Sequence, residues 1–334
     1  MRSFLVLLTL CLLATARAGG AAASPDQPLY LALGDSLAAG VGASDPSQAG
    51  YVGLVYDALL TDPAFFNDLT LMNLGDPGET TTSMLTSGGQ MDEALSQIEG
   101  RREDSIAGNE VAVISIDIGA NDFIPLVLGN SPCLPNPLAE ACTQAATSAL
   151  TTFRSNFADI MRRLRAAAGP EVEIVALGLY NPLSGTGGPF DAAGDAAVEL
   201  FNGNVATAVA QPDVQARLAD VFPLFQGRGP ELTHAAELPL DVHPNDGGHY
   251  LLALAVVTAL GLPPEAVANP PSGAPALPTL SSTPSTQSPT ATVPTPSSTG
   301  GEGDDDTPWP LYVGLIVAGI VIATGLLMLV RRRR

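Results

Sequence analysis

Lysine is absent from this 334-residue chain. All 14 basic residues are arginine, against 34 acidic ones, for a net charge of −20. Arg2 and Arg17 lie in the first 18 residues and four arginines close the chain, which leaves eight basic residues facing 34 acids, about −26. That balance argues against nucleic acid as a partner, because phosphates call for clustered Lys and Arg. It also disfavours adsorption to anionic lipid. Cysteine is scarce, with three in all. Cys11 follows Leu10 inside an apolar run and reads as a passenger, not a lipoprotein cysteine. Cys133 and Cys142 remain. The stretch around them supplies too few ligands for a metal and no neighbouring histidine to activate a thiol. No cofactor and no metal are implied. Only three histidines exist: His234, His243 and His249. There is no Gly-x-Ser-x-Gly elbow, no Leu-Pro-x-Thr-Gly sorting signal and no internal repeat.

The two ends differ from the middle. Phe4 to Ala14 is apolar and is followed by Ala16-Arg17-Ala18, small residues at signal-peptidase spacing, so residues 1–18 read as a cleaved secretory signal. An uncleaved anchor is the weaker alternative, because the run is shorter than a span. Residues 19–28 read as a short extension. Leu311 to Val330 is an uncharged apolar run long enough to cross a bilayer, and Arg331 to Arg334 follow it. A basic tail beside a span belongs on the cytoplasmic side. Residues 309–330 are therefore expected to form one transmembrane helix, with 331–334 as a cytoplasmic tail. Residues 266–308, rich in Pro, Ser and Thr and then acidic at Glu302 to Asp306, cannot bury a core and read as a disordered stalk. The expected placement is a single-pass protein of the cell membrane whose residues 29–265 face outward. In that oxidising setting Cys133 and Cys142 are expected to pair, which the chain-entropy relation values at about 2–3 kcal/mol.

Within 29–265, five apolar runs alternate with helical patterns. Strands are expected over Leu29–Leu33, Leu69–Leu74, Glu110–Ile118, Val172–Leu177 and, more weakly, Arg217–Phe222. Near-continuous Val/Ile/Leu runs suit strands buried on both faces. Helices are expected over Tyr51–Leu60, Met91–Ile98, Ala145–Ala167, Ala192–Ala210 and Gly247–Leu260. The long one carries Leu150, Phe153, Phe157, Ile160, Met161 and Leu164 on one face and is stopped by Gly169-Pro170. The alternation predicts an α/β fold with a central parallel sheet and helices on both sides.

Four short motifs stand in this framework. Gly34-Asp35-Ser36-Leu37 closes the first strand, where open α/β sheets expose their chemistry. Gly75-Asp76-Pro77-Gly78-Glu79-Thr80 follows the second, and Gly119-Ala120-Asn121-Asp122 the third. Asp241-Val242-His243-Pro244-Asn245 precedes the last helix, which Asn245 or Asp246 can cap. In that order they resemble the four blocks of the SGNH hydrolases, also called the GDSL esterase/lipase family. The resemblance runs from about Leu29 to about Leu260. It implies a three-layer, flavodoxin-like sandwich. It also implies Ser36 as nucleophile, His243 as base, and the Ser36 N–H, the Gly78 N–H and the Asn121 side-chain amide as oxyanion donors. Gly75 is the alternative glycine of its block, although Gly78-Glu79-Thr80 matches the family's Gly-x-Thr better. Asp35 and Asp122 read as local braces.

The chain departs from the family at one point. An aspartate usually stands three residues before the histidine; here that position is Leu240 and the acid is Asp241, two before. Either Asp241 orients His243 or a main-chain carbonyl does. His249 reads as a structural helix residue, and Phe123 to Leu128 as acyl-pocket wall or ordinary core.

The function expected is an exported, membrane-tethered serine esterase or lipase acting through an acyl-enzyme. Its partners would be an ester substrate (a lipid, a small ester or an acetylated glycan) and the membrane. A carbohydrate O-deacetylase, an acyltransferase of the same fold and a non-catalytic surface-binding module are the alternatives.

Overall fold

A computed structural model describes residues 26–65, 68–126, 131–133, 139–236 and 241–268. Five strands make one sheet: β1 (Leu29–Gly34), β2 (Thr70–Asn73), β3 (Val111–Asp117), β4 (Glu173–Leu177) and β5 (Arg217–Ala219). All pair in parallel, in the order β2-β1-β3-β4-β5. Among the described residues the helices are α1 (Tyr51–Leu60), α2 (Thr81–Met84), α3 (Gln90–Glu103), α4 (Ala120–Phe123), α5 (Glu140–Ala168), α6 (Pro189–Val209), α7 (Phe222–Phe225), α8 (Gly229–Leu232) and α9 (Asp246–Ala259).

The period-2 geometry of a strand divides β1 between two cores. Tyr30 and Ala32 pack with α1 and α9, while Leu29, Leu31 and Leu33 pack with α3, α5 and α6. A bulge-like shift pairs Leu29 with Val111 but Tyr30 with Val113, so Val111 and Ile114 both join the second core. Residues such as Leu31 and Ile114 are fully buried, and each contributes about 1.5–3 kcal/mol. Surface ion pairs such as Arg217–Glu173 contribute below about 1 kcal/mol, so the two cores carry the stability.

The short helices α2, α4, α7 and α8 were not expected; the remaining differences lie at element ends. The fifth strand stops at Ala219, not Phe222, because Phe222 opens α7. Helix α5 starts five residues before Ala145, with Cys142 in its first turn disulfide-bonded to Cys133, Cα–Cα 4.6 Å. The core extends to Val267, just beyond the expected boundary at 265. Among the described residues no helix is long and apolar enough to cross a membrane. The expected signal segment, most of the stalk, and the span at Leu311–Val330 lie outside the described residues.

Candidate active site

The sheet's C-terminal edge gathers the motifs. Ser36 follows β1, the Pro77–Thr80 turn follows β2, and Asn121 lies in α4 just after β3. His243 arrives from the far end of the chain on the segment before α9. Its Nε2 lies 3.0 Å from Ser36 Oγ, and its Nδ1 lies 2.6 Å from Asp241 Oδ1. The same carboxylate oxygen accepts the main-chain N–H of His243 at 3.0 Å. This Asx turn makes the two-residue spacing workable, because it folds the carboxylate back beneath the ring it serves. The bond to Nδ1 thus comes from Asp241 and not from a main-chain carbonyl. A carboxylate only accepts, so the neutral ring carries its proton on Nδ1 and offers Nε2 as acceptor to the serine hydroxyl. Burial raises the Asp241 carboxyl, but the bonds from the His243 N–H and ring outweigh it and leave the group below its ordinary value.

Around Ser36, main-chain donors are free. Among the described residues neither the Ser36 N–H nor the Gly78 N–H has an acceptor. Gly78 is exposed with φ +93°, a conformation that favours glycine, and nothing lies within 4 Å of where a Cβ would stand. The Gly75 N–H, by contrast, is spent on Asn73 Oδ1 at 3.0 Å. Asn121 Nδ2 donates to the Glu79 carbonyl at 2.9 Å and to Asp35 Oδ2 at 3.2 Å. The longer of these is the one an incoming anion can displace. Asp122 braces the neighbouring turn, accepting from the Thr81 N–H at 2.9 Å and its hydroxyl at 2.5 Å.

The other histidines are occupied elsewhere. His249 is fully buried; its Nδ1 accepts from the Tyr51 N–H at 3.3 Å and its Nε2 lies 2.9 Å from the Val41 carbonyl. Burial lowers its pKa to about 4, so it is neutral at pH 7. His234 Nε2 lies 2.9 Å from the Gly42 carbonyl. Among the described residues no group of acids, histidines and cysteines could hold a metal. What stands at this edge is a hydroxyl beside an imidazole that a carboxylate orients, with free main-chain donors close by, an arrangement of the kind acyl transfer uses.

The GDSL-like lipase/acylhydrolase family matches residues 32–251. The chain belongs to this family. It is accordingly a hydrolase of ester bonds. Among solved structures, the lipase Lip_vut3 from a goat rumen metagenome is 22% identical, with 72% of this chain and 100% of that chain covered and a TM-score of 0.51, a likeness of fold. Axe2, an acetylxylan esterase from Geobacillus stearothermophilus, is 18% identical over 72% of this chain and 98% of its own, TM-score 0.48. No curated protein matches the chain.

Several residues that hold the hydrolase site escaped the sequence reading. Gln90 ties β1 to β2: its Oε1 accepts the Gly34 N–H at 2.7 Å, and its Nε2 donates to Gly34 O at 2.9 Å and Leu74 O at 2.8 Å. Of the two caps expected for α9, Asn245 is the one that serves, and what the sequence did not disclose is that Asp246 accepts from the Ser44 N–H and hydroxyl, both at 2.7 Å. Asp117, too, was not singled out, although a lone charge inside the apolar strand β3 is the signal that could have found it. The Phe123–Leu128 segment divides: Phe123 packs on Phe153 and Phe201, Ile124 is exposed, and Val127 and Leu128 lie outside the described residues.

Proposed function

We propose that this hydrolase cleaves carboxylic esters through an acyl-enzyme on Ser36, in an exported domain tethered to a membrane. The observation that carries the mechanism is the continuous Ser36–His243–Asp241 chain at 3.0 and 2.6 Å. Ser36 Oγ attacks the ester carbonyl carbon while His243 Nε2 takes its proton, and Asp241 stabilises the resulting imidazolium. The carbonyl oxygen becomes an oxyanion facing the Ser36 N–H, the Gly78 N–H and the Asn121 amide, each contributing about 3 kcal/mol. Collapse breaks the ester C–O bond, and the leaving alkoxide takes the proton from His243. Water then repeats the sequence and releases the acid.

A fluorophosphonate should label Ser36, located by peptide mass spectrometry. Ser36→Ala should lower nitrophenyl acetate turnover by at least about 10⁴-fold with unchanged thermal unfolding. Turnover retained in that variant rules the mechanism out.

A carbohydrate O-deacetylase is the second reading. An open groove beside Gly78, lined by Glu79, Ser83, Thr86 and Ser87, favours an alcohol part rich in hydroxyls. Rates on nitrophenyl esters of increasing chain length, beside acetylated xylan, separate the two. Export and tethering rest on the sequence of residues 1–18 and 266–334. Protease on intact cells should release active soluble fragment, and activity confined to the cytosol would refute that placement.

A further inference from the structure

Two of the oxyanion donors stand beyond strands that are not neighbours. Gly78 follows β2, Asn121 follows β3, and β1 lies between them in the sheet. Strand pairing sets the spacing of the strands, but not that of the turns beyond them. Side chains join those turns directly. Asp122 spends both carboxylate oxygens on one residue: Oδ2 accepts the Thr81 N–H at 2.9 Å, and Oδ1 accepts the Thr81 hydroxyl at 2.5 Å. In the other direction, Asn121 Nδ2 donates to the Glu79 carbonyl at 2.9 Å. The backbone closes these bonds into a ring, Glu79 to Thr81 on one edge and Asn121 to Asp122 on the other. A ring fixes both separation and tilt, where a single bond would act as a hinge.

Helix α5 supports both edges. Thr81 is fully buried, and its Oγ1 also accepts from Asn156 Nδ2 of α5 at 3.2 Å; the same amide reaches Thr82 Oγ1 at 3.0 Å. The turn before Asn121 lies on α5 as well. A Cβ at Gly119 would run into the Phe153 ring, and its φ of +119° suits glycine. Helix α2 has its own cap, a box formed by Thr80 and Ser83, so the Asp122 bonds do more than close a helix end. We propose that Asp122 is a positioning residue: by gripping Thr81 it holds the Gly78 N–H and the Asn121 amide at the spacing one oxyanion requires. The kinetic half of this inference rests on the esterase reading above.

A residue that acts through these donors should matter most once the oxyanion exists. Asp122→Ala should lower kcat about 30- to 100-fold, with KM changed by less than about threefold. Asp122→Asn keeps an acceptor for the Thr81 N–H and can donate to its hydroxyl, so kcat should stay within about fivefold of wild type. Thr81→Val keeps the shape, loses one of the two bonds and should fall between them. A trifluoromethyl ketone, whose carbonyl carbon takes the Ser36 oxygen to give a tetrahedral adduct, should lose affinity in Asp122→Ala by about the same factor as kcat. A role in stability alone would not track kcat in that way. With Asn121→Ala already in place, adding Asp122→Ala should cost less than about tenfold. The Asn121 side-chain amide in nitrogen-15 NMR, assigned by its loss in Asn121→Ala, is a readout independent of turnover. Its shifts should persist in Asp122→Asn and move toward those of an exposed asparagine in Asp122→Ala. If the wild type hydrolyses no ester, the esterase reading fails alone, and this signal still decides the clamp. Wild-type kcat in Asp122→Ala, an Asn variant as slow as the Ala variant, ketone affinity that holds while kcat falls, or an amide signal that Asp122→Ala leaves in place overturns the proposal. Should Asp122→Ala not fold, Thr81→Val with wild-type kcat and an unmoved amide does the same.

Discussion

Ser36 and His243 meet across 3.0 Å, yet the structure holds them in opposite ways. The serine rises from the interior: Gly34 and Asp35 are buried, and Gln90, Asp117 and Tyr51 fix the strand end from below. The histidine stands on a segment gripped from outside. Tyr180 donates its hydroxyl to Val242 O, His234 N–H donates to His243 O, and Asn245 N–H donates to Leu232 O, each at 3.0 Å. Side-chain exposure is 28% for His243 and 43% for Asp241. A buried serine side and a half-exposed histidine side follow from the topology, since parallel strands deliver one and a connecting segment delivers the other. The buried side should therefore respond to substitution through stability as well as rate, and the exposed side mainly through rate.

The largest effect expected on the exposed side is at Asp241. Asn at this position keeps the size but can hold the wrong tautomer of His243, so kcat should fall about 10²–10⁴-fold with little change in KM. Because solvent reaches the carboxylate, unfolding should barely move. Steady-state kinetics beside Ser36→Ala checks this. A loss under about tenfold would mean that the ring is oriented by the main chain around it, and the site would reduce to a Ser-His pair.

On the buried side the sharper test is pH. His249 has a folded pKa of about 4, against an ordinary value near 6.5. Between those values the unfolded chain binds a proton that the folded protein refuses. Stability therefore falls as pH drops through that window, by up to about 3 kcal/mol at its lower end. Urea unfolding at pH 7, 5 and 4 should show a steeper acid loss in wild type than in His249→Gln. Asp35 and Asp117 have the opposite sign, since burial raises both carboxyls and raised carboxyls favour the folded state as pH falls. They are common to both proteins and cancel in the comparison. Equal slopes would show that His249 titrates in place.

The same division explains what the sequence disclosed. The parallel sheet was legible because Leu29–Leu33 and Val111–Ile118 are apolar on both faces, a pattern few other arrangements satisfy. The four motifs were legible because each sits where a strand ends or a helix begins. The residues that fix their geometry were not. Gln90 and Tyr51 look like any helix residues until the strand ends they hold are placed beside them. Asp117 was hidden by its own surroundings, one acid in a run that otherwise reads as plain core. The Asp241 spacing left two geometries open, because an Asx turn depends on backbone angles that composition does not carry.

The smallest effect should come from Tyr180, which bridges the two sides. Its ring stacks on buried Phe225, with centroids 4.2 Å apart, and its hydroxyl alone reaches the base segment, at Val242 O. Tyr180→Phe keeps the stack and removes one neutral hydrogen bond, which contributes about 1 kcal/mol. If the base segment were as rigid as the nucleophile turn, that loss would appear only as stability. Because the segment is half-exposed and held from one side, part of it should appear as a looser His243, with kcat reduced about two- to fivefold and KM unchanged. The same substitution should leave fluorophosphonate labelling confined to Ser36 but slower. Full kcat together with a stability loss of about 1 kcal/mol would show that the exposed side is held as firmly as the buried one, and would erase the contrast between them.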